Sequence, residues 1–312
     1  MIDQPPFLDT TRPDVPDMVV AGGVLPFHLE RSPVRGRIVR LGALADAILS
    51  RHDVPESVAR LNGQALALVA AMASALKFQG SLSLQVKGDG PVSMLLADAT
   101  NNGGIRGLAR LDDDADTSAL PDDAAGLLGN GYLAFTIDQG PDTERHQGVV
   151  EIKGQTLSEM AEHYFTTSEQ HACHIRLFCT RGPNGWEAGA LVLERIAADG
   201  GADTQQNDAE DAWETACAFA DTLRENELFN EKLSAQDLTH RLFGTLDVQD
   251  SAPRALAYSC HCSRSRLVNV LTRFSDDDLD HMAEDGVITM KCEFCNHDFR
   301  FSRDNLSATD PA

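Results

Sequence analysis

The chain has 312 residues, 42% of them hydrophobic, and carries 48 acidic against 26 basic side chains, a formal net charge of −22. Such a chain exceeds one typical domain and buries a sizeable core, which excludes wholesale disorder. The acidic excess weighs against a general nucleic-acid or anionic-membrane surface, since both need clustered Lys and Arg.

Residues 1–20 are rich in Pro and Asp and read as a flexible tail. They hold neither the basic nor the apolar region of a secretion signal. The longest apolar run, Ala65 to Leu76, has 12 residues and is too short to span a bilayer. A cytoplasmic protein is therefore expected, where thiols stay reduced. Its seven cysteines then point to metal or redox chemistry before a disulfide framework. A first strand is expected at Val34–Leu41, followed by helical spacing from Leu41 to Ser50. Asp53-Val54-Pro55-Glu56 reads as a helix start, with Asp53 as cap and Pro55 in the first turn. The helix it opens runs to about Lys77 and is apolar around most of its circumference.

Ser81–Lys87 alternates, Gly88-Asp89-Gly90 turns, and Val92–Leu96 returns, which is the pattern of a β-hairpin. Arg106–Leu111 reads as another strand. Leu111–Ala125, with six aspartates and no basic residue beyond its start, reads as a solvated loop. Strands are expected at Gly131–Ile137, Gly148–Ile152, Ile175–Cys179 and Ala190–Glu194, and a helix at Thr156–Ser168. Residues 197–211 contain five acidic residues and no large apolar one, the composition of a linker. Beyond it Trp213, Ala216, Cys217, Ala220 and Leu223 share one face of an amphipathic helix, and Ser234 caps a second, shorter helix to Phe243. The expected fold class is α+β. A mixed α/β domain over 21–196 is followed by an acidic linker and helical middle region over 197–254, and a small zinc-binding domain over 255–312.

Cys260-x-Cys262 and Cys292-x-x-Cys295 are separated by 29 residues. Two short-spaced pairs can give zinc its four tetrahedral thiolates without long loop closure. A module of about 50 residues buries little surface, so a bound metal would supply the missing stability. The Cys-x-Cys half requires a local bend, because alternate residues of a regular strand point apart. Val287–Lys291 before the second pair and Asn296–Phe301 after it suggest a β-hairpin knuckle rather than the strand-to-helix setting of thioredoxin-like enzymes. Arg264, Arg266 and Lys291 are expected to favour the thiolate form, and His261 and His297 read as neighbours of the ligands. Spacing leaves two roles open, a closed structural staple and an oxidation-sensitive switch in which disulfide formation would expel the metal. His171-Ala172-Cys173-His174 can also be drawn as a metal site, but no second cluster points to it. Cys179 and Cys217 read as core residues. No Gly-x-Ser-x-Gly, Walker loop or His-Glu-x-x-His occurs, so neither an enzyme nor an ATP-driven machine is expected.

These residues resemble the 33-kDa chaperonin family of redox-regulated heat-shock holdases. The resemblance is carried by Tyr258-Ser259-Cys260-His261-Cys262-Ser263 and Val287–Cys295. Leu76-Lys77-Phe78-x-Gly80, Gln85-x-x-Gly88-Asp89-Gly90-Pro91, Gly129-x-Gly131-Tyr132-Leu133, Gln147–Val150 and Tyr164-Phe165-x-x-Ser168-Glu169-Gln170 extend it, with Trp213 and Glu227-Leu228 in the middle region. It covers about residues 30–303. It implies an ATP-independent holdase that rests reduced with Zn(2+) on Cys260, Cys262, Cys292 and Cys295. Oxidation would form Cys292–Cys295 first and Cys260–Cys262 afterwards, releasing zinc and unfolding the linker to bind unfolded clients. The implied oligomer is a monomer when reduced and a homodimer when oxidised. The helix face Trp213, Ala216, Ala220 and Leu223 is expected to be covered by the zinc module at rest and to bind clients once freed. The chain departs from the pattern after Ala188–Ile196 and in its two acidic segments. A zinc-ribbon nucleic-acid or ribosome-binding protein and a thiol oxidoreductase are the competing classes.

Overall fold

The structure is a computed structural model. It describes residues 18–306 except 31, 77–78, 141–142, 197–202 and 261, with backbone alone over 203–208. The expected tail of residues 1–20 lies outside the described residues up to Asp17, as does the start of the linker. The chain divides into two compact units, with the break between Ala257 and Tyr258.

The larger unit holds strands β1 (Val19–Leu29), β2 (Val34–Arg40), β3 (Ser81–Gly88), β4 (Val92–Thr100), β5 (Gly104–Leu111), β6 (Gly131–Asp138), β7 (His146–Glu151), β8 (Cys173–Gly182), β9 (Gly185–Arg195), β10 (Val248–Asp250) and β11 (Arg254–Tyr258). Its helices are α1 (Ala43–Leu49), α2 (Glu56–Ala73), α3 (Ala124–Leu128), α4 (Leu157–Ser168), α5 (Asp203–Asp221), α6 (Glu225–Leu228) and α7 (Ala235–Phe243). The strands form one 11-stranded sheet in the order β7-β6-β3-β4-β5-β11-β1-β2-β9-β8, with β10 also on β1. The hairpin pairs β1–β2, β3–β4, β6–β7 and β8–β9 are antiparallel, as are the longer-range pairs β2–β9 and β1–β11.

Helix α2 explains much of this packing. Only Glu56, Arg60 and Gln64 of its 18 residues remain outside the core, as a helix apolar on all sides must be. Its start differs from expectation. Pro55 occupies the cap position and no side chain caps the helix, so the proline's missing N–H falls just outside the first turn and Asp53 is not needed. Thr156 does cap α4, its hydroxyl accepting from the Glu159 amide while the Glu159 carboxylate accepts from the Thr156 amide. The acidic loop is also more ordered than its composition implies. Asp116 caps a short 3-10 turn, and Asp123 accepts from the Gly126 amide at 2.8 Å to start α3.

Two expectations are corrected here. Val19 and Val20, placed in the tail, begin β1, whose pattern of burial is broken at Gly22 and Gly23 and so gives no clean alternation. Residues 203–211, read as linker, form the first half of α5; acidic residues suit a helix N-terminus, and composition alone does not separate the two.

The apolar face of α5 packs on the sheet. Ala216, Ala220 and Leu223 are buried with Phe27, Leu29, Val34, Ile38, Leu191 and Leu193, and Leu238, Leu242 and Phe243 of α7 complete the cluster. The Phe27 and Phe243 rings stack 5.2 Å apart. Gly36 lies opposite Phe27 in the β1–β2 register, and a Cβ there would meet that ring, so the strand gives up a side chain to seat the aromatic pair.

The smaller unit contains α8 (Arg264–Leu271), α9 (Asp276–Met282), β12 (Val287–Lys291) and β13 (Asp298–Ser302). Both helices were missed in the sequence because neither is long enough to show a period. Each nevertheless carries a serine cap, Ser263 to the Arg266 amide and Ser275 to the Asp278 amide. Its core is small: Leu271, Leu279, Ile288, Phe299 and Phe301.

Truncating Phe243 to Ala removes the centre of the cluster that holds α5 and α7 to the sheet. The expected cost is about 3–5 kcal/mol, read as a lowered urea midpoint by far-UV circular dichroism.

Candidate metal centre

Strand β11 ends at Tyr258, and Cys260 and Cys262 both lie outside regular secondary structure. This is the local bend that a Cys-x-Cys pair needs to turn both sulfurs the same way. The second pair sits in the turn of the β12–β13 hairpin, whose register runs from Val287 opposite Ser302 to Lys291 opposite Asp298. The turn is closed by the Cys292 amide donating to the His297 carbonyl at 2.9 Å and the Asn296 amide donating to the Cys292 carbonyl at 2.7 Å. Asn296 takes a left-handed backbone (φ 56°), which asparagine tolerates better than most residues. The hairpin knuckle expected from the flanking strands is what the chain forms.

The four sulfurs converge. Cys260 Sγ lies 3.3 Å from Cys262 Sγ and 3.6 Å from Cys292 Sγ, and Cys262 Sγ lies 3.5 Å from Cys295 Sγ. All four are within 4.8 Å of one another and none of the four is joined in a disulfide. Tetrahedral zinc with bonds of ~2.3 Å sets its sulfurs about 3.8 Å apart. The donor set fits zinc, with these three contacts a few tenths of an ångström shorter than the ion would hold them.

Electrostatics point the same way. Hydrogen bonding from Cys260 first, then from Cys262 and Cys295, holds the Cys292 thiol far below its ordinary range, and Cys260 is lowered chiefly by Cys262. Cys262 and Cys295 are pushed up, in each case most strongly by Cys260. The leading cause is the neighbouring sulfurs rather than the flanking cations the sequence suggested. Arg264 instead stacks over the Phe301 ring at 4.4 Å, and Lys291 faces Asp298 at 3.9 Å. Holding all four sulfurs as thiolates requires a cation among them. His297 packs edge-on against Phe299, its ring 4.8 Å away, and is not in the donor group; His261 lies outside the described residues.

The other predicted site residues are elsewhere. Ala216 and Ala220 of α5 are fully buried and Leu223, just past its end, is 1% exposed, all in one cluster with residues of the larger unit's own sheet, with Trp213 partly buried beside them. This sheet and α7 pack on that face within the larger unit. Cys179 is buried beneath Gly63 of α2, where a Cβ would strike its sulfur, and burial pushes its thiol up to about 12. A second donor group also appears among the described residues. His171 and Cys173 come together with Glu194 of β9, whereas His174 turns to the opposite face and meets Asp221 at 3.0 Å. Strand alternation separates Cys173 from His174, and the pairing of Cys173 with Glu194 across β8–β9 supplies the third member. That partner is 21 residues away in sequence, which is why no local motif contains it.

A large sheet-and-helix unit followed by a small unit that could hold a metal through four cysteine sulfurs defines the class of this protein. Its fold is that of the 33 kDa chaperonin (heat shock protein 33 homolog) of Thermotoga maritima, matched with a TM-score of 0.74 at 21% identity over 91% of this chain and 96% of that one. The chain matches the family described as Hsp33 protein over residues 23–302. It is 39% identical over 284 residues to a 33 kDa chaperonin of Caulobacter vibrioides, covering 88% of this chain and 92% of the relative. It is 34% identical over 283 residues to one of Shewanella loihica, covering 90% and 93%. The chain belongs to the Hsp33 family, and this membership supports a chaperone role. No described helix is long and apolar enough to cross a membrane.

Stripping metal from the reduced protein with a strong chelator is expected to unfold the smaller unit. Amide-exchange protection should be lost over β12 and β13 while β3 and β4 keep theirs. Zinc sites of this kind contribute ~10–16 kcal/mol, far more than five buried apolar residues can replace.

Proposed function

We propose that the chain is a redox-regulated, ATP-independent holdase, with the four-sulfur centre as its switch and Zn(2+) as its resting ligand. The observation that carries this reading is the convergence of four cysteine sulfurs to within 4.8 Å of one another in a unit with too small a core to stand alone. Zinc would keep all four sulfurs as thiolates, the form that oxidants attack. A two-electron oxidant such as hypochlorous acid takes two electrons from a thiol pair, forming one disulfide, with water and chloride as products. The pairing Cys292–Cys295 followed by Cys260–Cys262 rests on the family resemblance; Cys260–Cys292 and Cys262–Cys295 contacts are comparably short. Either pairing removes two ligands, and zinc leaves.

Ser259 alone separates Cys260 from the end of β11. Unfolding of the smaller unit would therefore pull on β11 and then, along the chain, on β10 and α7. Trp213, Ala216, Ala220 and Leu223 then form client-binding surface only if α5 lifts from the sheet. Exposed apolar area of that kind binds unfolded polypeptides. The reading includes a cytoplasmic protein that is monomeric when reduced and a homodimer when oxidised. The net charge of −22 disfavours the nucleic-acid alternative, and a thiol oxidoreductase would turn over disulfides catalytically.

Zinc release, free-thiol count and suppression of client aggregation are to be followed together during oxidation by hypochlorite. The expected result is concerted loss of zinc and thiols with a stoichiometric gain in client protection. Complete oxidation and zinc loss with no such gain would sink the switch and leave a structural staple.

A further inference from the structure

We propose that His171, Cys173 and Glu194 form a second metal site, for a borderline or soft divalent cation such as zinc, separate from the four-cysteine centre. The imidazole, thiol and carboxylate donor atoms all lie within 4.8 Å of one another. Three elements fix them. Gln170 takes a left-handed backbone (φ 51°) after α4 and turns the chain back, with the His171 amide donating to the Phe165 carbonyl at 3.0 Å. Cys173 opens β8 and is directly opposite Glu194 in the β8–β9 register. Ligands on paired strands and a capped turn need little ordering to bind an ion.

The surroundings also suit an open metal site. His171 lines a cavity of about 760 Å³ together with Leu76, Phe135, Gly148, Tyr164 and Ser168. The cavity meets the donor group at His171, and a water would supply the fourth ligand of a three-ligand zinc site. A thiol among three donors excludes magnesium and calcium, which take oxygen ligands.

Charge sets the strength. Glu194 is already paired with Arg37, Nη1 to Oε2 at 2.7 Å, and both side chains are almost buried, at 13% and 8% exposed. One carboxylate oxygen faces the guanidinium, and the other can serve the metal. Burial holds the Cys173 thiol in its protonated form, with Glu194 and Glu162 adding to the effect and Arg37 opposing it. Binding therefore exchanges one proton for a dication, and the pocket gains a single positive charge beside Arg37. With one sulfur among its donors against four, the site is weaker than the four-cysteine centre. It fills second.

The test uses the full, reduced protein carrying one equivalent of zinc. Zinc is titrated against a chromophoric competitor, and cobalt absorption reports sulfur ligation. The wild type should take up a second equivalent with a thiolate-to-cobalt band weaker than that of a four-sulfur centre. Cys173→Ser and His171→Ala should each lose the second equivalent and keep the first. His171 is partly exposed, so its variant remains informative if Cys173→Ser folds poorly, which far-UV circular dichroism checks. Uptake of one equivalent only, or a second equivalent that survives both substitutions, would overturn the site.

Discussion

Four sulfurs brought within 4.8 Å of one another, with neighbouring contacts as short as 3.3 Å, cannot all be charged unless a cation shares the space. The Coulomb repulsion between thiolates at such separations is several kcal/mol per pair at the effective dielectric of a protein, about 20. That constraint fixes the state of the smaller unit. With a dication in place, four thiolates tie two distant chain segments together. Without one, the cluster must hold protons, and the tie is reduced to thiol hydrogen bonds. Leu271, Leu279, Ile288, Phe299 and Phe301 form too small a cluster to compensate. Stability of this unit is therefore a property of its ligand, and anything that changes the sulfurs changes the fold.

The larger unit is built on the opposite principle. Its core is extensive, with α2 buried on nearly every side and the α5–α7 face closed over β1, β2 and β9. Apolar burial, with a few ion pairs such as Arg37–Glu194, holds it together. This contrast allows one part of the chain to respond to chemistry while the other persists.

How much of this was legible in the sequence depends on whether the signal was local. The Cys-x-x-Cys hairpin could be read because Val287–Lys291 and Asn296–Phe301 flank it at strand spacing. The α4 and α7 starts could be read because Thr156 and Ser234 bond three residues ahead. The partner of the α5 face could not. Its apolar spacing was plain, but the residues that cover it, from Phe27 to Leu193, lie up to two hundred positions away, and proximity in sequence suggested the zinc module instead. β1 escaped notice because Gly22 and Gly23 interrupt its alternation, and α8 and α9 because two turns are too few to show a helical period. The His171–Cys173–Glu194 group joins residues that only strand pairing brings together, and a motif search reads along a chain, not across a ladder.

Strand β11 deserves a last consequence. In the order of the sheet it stands between β5 and β1, so it alone, among the described strands, connects the five-strand half ending at β5 with the half that begins at β1. Glycines make room for it on both sides: a Cβ on Gly23 would meet Leu256, and one on Gly103 would meet the Ala255 carbonyl. Five residues, ending two positions before Cys260, therefore act as the keystone of the sheet. Were they drawn out, the ladder would part into two sheets, each with a freshly unpaired edge of the kind that recruits other extended chains. The seam of the larger unit and the first cysteine of the smaller one are neighbours on the backbone, so the covalent chain itself links a change at sulfur to the continuity of the sheet.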